Sequence, residues 1–306
     1  MAIRLVLIAC ILAIFAGSFS LRNRFCPESE QTPLPPRNCT RIVSMAPSLT
    51  QTLCDLGLQD RIVGVSRYCL MNHIPQVEGK PQVGGFLDPN FETILRLKPD
   101  LVLLLTEHEK SMPGLRKLGL NTLAVCHQNV TGCITSIRSI GAACGEERLG
   151  NELADSLQSR LDRIRKKTAS RARPRVMICI ERTKIPGRLA DVYIAGRDDY
   201  YSEMIDCAGG RNAYDRANIR YPTVSPEGIL HLNPDVIIDL VDGLNQSADS
   251  SESTLADWQQ LRGVAAVKEH RLHAFDRSAT VPGMKIIGTI EELARVLHPE
   301  IPWDEP

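Results

Sequence analysis

Two stretches of this chain repeat without a gap at a constant offset of 135 residues, and this repeat limits the folds open to it. Residues 90–102, from Asn90 through Glu92 and Pro99-Asp100 to Val102, align with residues 225–237, from Ser225 through Glu227 and Pro234-Asp235 to Ile237. Glu, Ile, Leu, Leu, Pro and Asp coincide at six of the thirteen positions. Each copy reads as a short helix, a Pro-Asp stop and a strand rich in aliphatic residues, because proline lacks the N–H that a continuing helix needs. Chance resemblance among βα units is the plainer account. Six ungapped identities favour duplication or parallel function.

The rest of the chain extends the pattern. Strand-like runs stand at Arg41–Met45, Ile62–Val65, Leu101–Leu105 and Thr122–Val125, with helix patterns near Phe91–Leu97, Pro113–Leu118 and Gly132–Cys144. Strands alternating with helices imply βα units and mostly parallel sheets. Ser48 is placed to cap a first helix carrying Leu49, Leu53 and Leu56 and stopping at Gly57. Leu149, Leu153, Leu157, Leu161 and Ile164 then recur every three or four residues, predicting one amphipathic helix of about 24 residues, roughly 36 Å long. The pattern has this helix end at Pro174. Strands are then predicted at Arg175–Ile180, Asp191–Ala195, Val236–Leu240 and Arg271–Phe275. The expected organisation is an α/β fold of two lobes, each a mostly parallel sheet flanked by helices, joined by one long rigid helix. Residues 41–147 form the first lobe, 148–173 the connecting helix and 174–306 the second lobe.

Charge and the N-terminus narrow the setting. Basic and acidic residues balance at 36 each, which argues against a nucleic-acid partner, since such partners select a basic stripe. Arg4, the apolar run Leu5–Phe15 and small residues Ala16, Gly17 and Ser18 fit a secretory signal peptide within residues 1–20; Arg22 and Arg24 leave an uncleaved anchor open. Residues 21–40 are polar and proline-rich and read as a spacer. Ten cysteines become nine if the leader is lost, an odd number for an oxidising compartment. Cys54, Cys144 and Cys179 fall in apolar patterns and read as small core residues. Pairing among the others stays open.

The order of several motifs carries a family resemblance. Residues 41–48 (Arg-Ile-Val-Ser-Met-Ala-Pro-Ser), 62–68 (Ile-Val-Gly-Val-Ser-Arg-Tyr), 83–86 (Val-Gly-Gly-Phe), 204–210 (Met-Ile-Asp-Cys-Ala-Gly-Gly) and 221–227 (Tyr-Pro-Thr-Val-Ser-Pro-Glu) follow one another along the chain. In that order the chain resembles the periplasmic receptors for vitamin B12 and ferric siderophores, the helical-backbone metal receptors of ABC importers, over residues 41–298. The resemblance implies an extracytoplasmic, monomeric binding protein that captures a cobalt or iron chelate in an interlobe cleft and hands it to a permease dimer. It also implies that one glutamate on each lobe, here Glu92 and Glu227, docks on permease arginines. Two carboxylates at the starts of short helices suit bidentate guanidinium contacts, or each merely complements its helix dipole.

Ala46, Pro47 and Ser48 lie at the first strand–helix turn, which the resemblance turns toward the ligand. Tyr68, Phe86 and Tyr221 match positions often aromatic in vitamin B12 receptors, with core aromatics as the competing reading. Arg67, His108, Arg182 and Arg197 are candidate polar contacts, together with Glu107; arginines suit an anionic chelate or the phosphate and amide fringe of a corrinoid. His108 follows a buried-strand pattern, and is read as either a solvated loop histidine or an axial ligand to a chelated metal. Aromatic residues total only 5%, which thins the corrinoid reading, and no aromatic follows Phe275 in the 276–285 segment. No G-x-S-x-G, P-loop, G-x-G-x-x-G or H-E-x-x-H occurs, so no catalytic residue, no protein metal site and no cofactor are assigned. A bare zinc or manganese receptor and a lobed α/β enzyme are the alternatives; the first needs several His, Asp or Glu ligands converging in the cleft.

Overall fold

Leu101–Leu105 is buried at all five positions, as a central strand covered on both faces requires. In the computed structural model it pairs with Ile42–Ser44 on one side and Thr122–Val125 on the other. The structure describes residues 38–71, 74–185, 188–197, 199–216, 219–244 and 255–304. The expected leader and all but the end of the spacer lie outside these residues. The first sheet has the order β2-β1-β3-β4 and is parallel throughout, with β1 at Ile42–Ser44, β2 at Ile62–Val65, β3 at Leu101–Leu105 and β4 at Thr122–Val125. Around it lie α1 (Pro47–Asp55), α2 (Arg67–Met71), α3 (Phe91–Arg96), α4 (Met112–Lys117) and α5 (Val130–Ala143).

The second lobe is mixed. Its sheet runs β10-β9-β5-β6-β8, with β5 at Arg175–Ile185, β6 at Arg188–Ile194, β8 at Thr223–Val224, β9 at Val236–Val241 and β10 at Leu272–Asp276; β7 (Arg211–Asn212) pairs with β5. Strands β5, β9 and β10 are parallel, whereas β5–β6 and β6–β8 are antiparallel. The sequence reading ends the first of these strands at Ile180 and finds no hairpin. Five further residues extend β5 into a ladder with β6, and Pro186-Gly187, a turn dipeptide, stands between them in sequence. Helices α7 (Tyr200–Cys207), α8 (Pro226–Leu232), α9 (Ala265–Lys268) and α10 (Ile286–Leu297) complete this lobe.

The repeat seen in sequence is a repeat of hydrogen bonds. Asn90 and Ser225 cap α3 and α8 through side-chain oxygens that accept from Thr93 N and Gly228 N. Lys98 and Asn233 then take up left-handed backbone, at φ 47° and 43°. Asp100 Oδ1 accepts from Arg41 N at 3.0 Å while Asp100 N donates to Arg41 O at 2.9 Å. In the second lobe Asp235 Oδ2 accepts from Arg175 N at 2.7 Å while Asp235 N donates to Arg175 O at 2.8 Å. Each aspartate thus aligns its own strand with the first strand of its lobe.

The connecting helix α6 spans Glu147–Thr168, 22 residues, with Glu147 in its first turn and Arg165, Lys166 and Lys167 in its last, as the helix dipole favours. It ends at Thr168, before Pro174. Its buried face is Gly150, Ala154, Leu157, Leu161, Ile164 and Thr168, while Leu149 and Leu153 are only partly buried. The stripe shifts because α6 crosses α5 closely: a Cβ on Gly150 would stand 3.0 Å from Ile137 O and 3.2 Å from Gly141 Cα. Arg160 clamps Glu291 of α10 with two hydrogen bonds of 2.9 and 2.6 Å. One hydrophobic core runs from Ile42 and Leu103 through Ile137, Leu157 and Leu161 to Ile178, Ile238 and Leu293, so both lobes and α6 share it. Among the described residues no helix is long and apolar enough to cross a membrane. Cys144 and Cys179 are buried in the core as expected, and Cys54 is partly buried.

Replacing Asp100 or Asp235 with alanine is expected to cost about 1–3 kcal/mol of stability each, the range for leaving strand-end N–H groups without an acceptor. Urea unfolding of both variants beside wild type checks this, and a loss below about 0.5 kcal/mol would show that strand pairing alone sets the register.

Candidate ligand-binding cleft

Loops at the carboxyl ends of parallel strands are where open α/β sheets place ligands. Strand β1 delivers Ala46 and Ser48 buried and Pro47 partly exposed. Ser48 is not the helix cap. Ala46 holds that position without a side-chain bond, because Pro47 at the first helical position already removes one of the N–H groups a cap would satisfy. Ser48 Oγ instead lies 3.0 Å from His127 Nδ1, and His127 Nε2 lies 2.8 Å from Ser136 Oγ. Ser136 donates its hydroxyl hydrogen to Cys133 O at 2.7 Å, so Nε2 carries the imidazole proton and Nδ1 accepts from Ser48. Burial pulls the His127 pKa down to about 4, which keeps the ring neutral.

Strand β2 delivers Arg67 and Tyr68. Arg67 pairs with Asp88 and lies 5.8 Å from the centre of the Tyr68 ring, and Tyr68 is exposed. Phe86 is half-buried with its ring centre 4.2 Å from that of His108. The solvated-loop reading of His108 does not hold: it is 1% exposed, and Nδ1 lies 3.0 Å from the Leu105 N–H. Desolvation lowers its pKa, and the ring packs at a tilt against Phe86 with Nε2 buried and without a hydrogen-bond partner among the described residues. The histidine sits low because the chain turns immediately after β3 in a single 3-10 turn, Thr106–His108.

In the second lobe the loops before α7 and before β8 press together. A Cβ on Gly196 would collide with the Ile219 and Arg220 carbonyl oxygens, and Gly196 N donates to Arg220 O at 2.7 Å. This brings Tyr221 beside Asp199 and Tyr201. The Tyr221 phenol is raised by desolvation first, then by Asp199, Tyr201 and Glu107. Glu107 belongs to the first lobe, so Tyr221 lies within electrostatic reach of that lobe. Nearby, Glu203 of α7 accepts a 2.8 Å hydrogen bond from Val130 N at the start of α5, a direct interlobe contact. Tyr201 Oη is 3.4 Å from Thr280 Oγ1. Arg197 is exposed and donates to Asp215 O at 3.4 Å.

Arg182 departs from its expected role. Its side chain is 4% exposed and bonded to Asp239 at 2.9 Å and Asp257 at 2.7 Å, beside Trp258, whose Nε1 donates to the same Asp239 oxygen. Both carboxylates are buried or half-buried and use the guanidinium to neutralise themselves, so Arg182 holds the lobe together. Arg277, absent from the sequence candidates, stands beside it: Nε donates to Asp242 at 2.7 Å and NH2 to Leu240 O at 3.2 Å. Arg182 and Arg277 line a pocket at the ends of β5, β9 and β10 with Glu181, Asp239 and Asp242. Sequence reasoning also missed Met71 at the end of α2 and Leu87 and Ile219 on these loops, apolar side chains left exposed. Single exposed apolar residues leave no periodic signal. Glu92 and Glu227 are exposed in the first turns of α3 and α8, in equivalent places on the two lobes. Among the described residues no cluster of His, Cys, Asp and Glu could hold a metal ion.

The profile of the periplasmic binding protein family matches residues 42–279. The chain belongs to this family. It is similar to an uncharacterized ABC transporter substrate-binding lipoprotein, YvrC, of Bacillus subtilis, 31% identical over 271 residues covering 85% of this chain and 80% of the relative. It is also similar to the high-affinity heme uptake system protein IsdE of Staphylococcus aureus, 29% identical over 67% of this chain and 68% of that protein. The fold matches the periplasmic vitamin B12 binding protein BtuF of Vibrio cholerae with a TM-score of 0.70 at 23% identity, covering 86% and 98% of the two chains. A two-lobed periplasmic binding protein fold is therefore established. The family is one of periplasmic binding proteins, and the Bacillus subtilis relative is an ABC transporter substrate-binding lipoprotein.

His127 has a pH signature in this periplasmic binding protein. The unfolded imidazole takes up a proton near its ordinary value of 6.5, the folded one only near 4, so the unfolded state binds more protons between these values. Stability from this residue is complete above pH 6.5 and is lost as pH falls toward 4, by about 3 kcal/mol in all. Urea unfolding at several pH values should show this slope, and His127→Asn should flatten it.

Proposed function

We propose that this protein captures a metal chelate, foremost a corrinoid of the vitamin B12 class, between its lobes and presents it to an ABC importer. The observation that carries the proposal is the set of aromatic rings near the strand ends of both lobes: Phe86, in contact with His108, and Tyr68 on one lobe, and Tyr221 beside Tyr201 on the other. A broad, rigid chelate needs such flat contacts with a few polar groups at its edge. Arg67, Arg197 and Glu107 are placed to supply that edge, with Ala46, Pro47 and Ser48 at the floor. The similarity to BtuF supports this reading, and the similarity to IsdE makes haem its nearest competitor.

The axial position would differ between the two. A haem iron takes a protein ligand, for which the Tyr221 phenol and the buried His108 are candidates, whereas a corrinoid that brings its own lower ligand asks for neither. Glu92 and Glu227 form the proposed permease contacts, and α6 with its shared core holds them at a fixed separation.

Titrating the purified protein with cyanocobalamin, haem and ferric siderophores by calorimetry should give one-to-one binding to cyanocobalamin. A Soret shift with haem and silence with cyanocobalamin would replace the corrinoid reading with haem; retention of a bare divalent ion alone would sink the chelate reading. Phe86→Ala and Tyr221→Ala should each weaken binding roughly tenfold, the loss of about 1.4 kcal/mol of aromatic contact. Replacing Glu92 and Glu227 together with alanine should abolish uptake in cells and leave the calorimetric affinity unchanged. An equal fall in binding would overturn the docking assignment.

A further inference from the structure

Cys39 and Cys144 lie 105 residues apart in sequence and meet at the point where the first lobe passes into α6. Cys39 Sγ lies 3.1 Å from Ala143 O, the carbonyl next to Cys144, and the Cys39 side chain is near enough to raise the Cys144 thiol. Both are buried, at 4% and 0% exposure. The backbones on either side are fixed by one guanidinium: Arg61 NH1 donates to Cys39 O at 3.2 Å and to Cys144 O at 2.7 Å, while NH2 pairs with Glu146 at 3.1 Å. No ligand contact, permease contact or core-packing argument requires two sulfurs at this joint, where any small apolar residue would fill the space.

We propose that Cys39 and Cys144 are a disulfide-forming pair, oxidised when the chain folds outside the cytoplasm. The oxidant is a disulfide donor of that compartment, a thiol oxidoreductase or a small disulfide. One cysteine thiolate attacks the donor and releases one donor thiol; the second thiolate then displaces the remaining half. Two cysteines are oxidised, the donor disulfide is reduced to two thiols, and both protons leave with them. The timing follows from the environment. In the folded protein the hydrogen bond to Cys39 and burial push the Cys144 thiol far above its ordinary value, leaving almost no attacking thiolate. Exchange therefore belongs to the folding chain, before the joint closes, and the finished bond is shielded from reductant. It ties the entrance of β1 to the exit of α5, at the base of the connecting helix.

This inference rests on the extracytoplasmic reading only for the source of oxidant, and the test supplies its own. The unfolded, reduced full chain is refolded with a mixture of oxidised and reduced glutathione, then unfolded in guanidinium without reductant, alkylated and digested. The expected result includes a cross-linked peptide pair joining Cys39 to Cys144, lighter by the two thiol hydrogens and separate from the disulfide at Cys126, while Cys69 and Cys179 are alkylated. Both Cys39 and Cys144 should become alkylated once reductant is added. Folded protein kept reduced should show neither residue alkylated until it is unfolded. Full alkylation of both cysteines after oxidative refolding, or pairing of either with another cysteine, would overturn the proposal. Cys39→Ala should abolish the cross-linked pair and lower Tm to that of the reduced wild type. A Cys39→Ala Tm equal to that of the oxidised wild type would mean the bond does not hold the joint. Ligand titration of the same oxidised sample is scored separately, so a failed ligand reading leaves this result intact.

Discussion

An aspartate carboxylate that accepts from the first backbone N–H of a lobe, while its own N–H donates back to the same residue, locks two parallel strands that share no turn. Parallel strands need this more than antiparallel ones, because no hairpin fixes their register. Asp100 does it for β1 and β3, and Asp235 for β5 and β9. Pro99 and Pro234 stop the preceding helix just before the aspartate, and the left-handed residues Lys98 and Asn233 turn the chain into place. With register fixed, the aliphatic residues of β3 and β9 alternate between faces. Leu101, Leu103 and Leu105 enter the shared core and Val102 and Leu104 the outer one. The central core that joins the lobes follows from that alternation.

This device was legible in the sequence because it is local. Six identities at one offset were enough to locate it, and the cap, stop and strand all lie within thirteen residues. The connecting helix was legible for the same reason, through its period, although its buried face is set by Gly150 and Ala154 rather than Leu149 and Leu153. Close approach of two helices favours small side chains, which carry no weight in a hydrophobic stripe. The antiparallel extension β5–β6 was missed because its pairing depends on which edge of the sheet remains open, a property of the assembled lobe.

The cleft divides along the same line. Phe86 and Tyr221 stand on loops, as their positions between strand and helix signals suggested, whereas Tyr68 lies in the short helix α2. Arg182 and His108 were misplaced because a charged or aromatic residue after a strand signal has two destinations. It faces solvent when nothing opposes it, and turns inward when a partner waits there. For Arg182 the partners are Asp239 and Asp257, 57 and 75 residues away. For His108 it is Phe86. Neither partner is visible in a local window. Arg277 escaped notice because its neighbours, Asp242 and the ends of β5 and β9, meet it only in the folded lobe.

The core that passes unbroken from Ile42 through Leu157 to Leu293 also bears on how such a molecule can change over evolutionary time. A protein whose halves meet only through a linker can trade one half for a relative's. Here a foreign second lobe would present the wrong knobs to α5 and α6 and lose the Arg160 clamp on Glu291 and the reach of Glu203 to Val130. The lobes must therefore diverge as a pair. Freedom to vary is left to the surface, where exposed side chains such as Leu87 and Ile219 can be exchanged without disturbing the core.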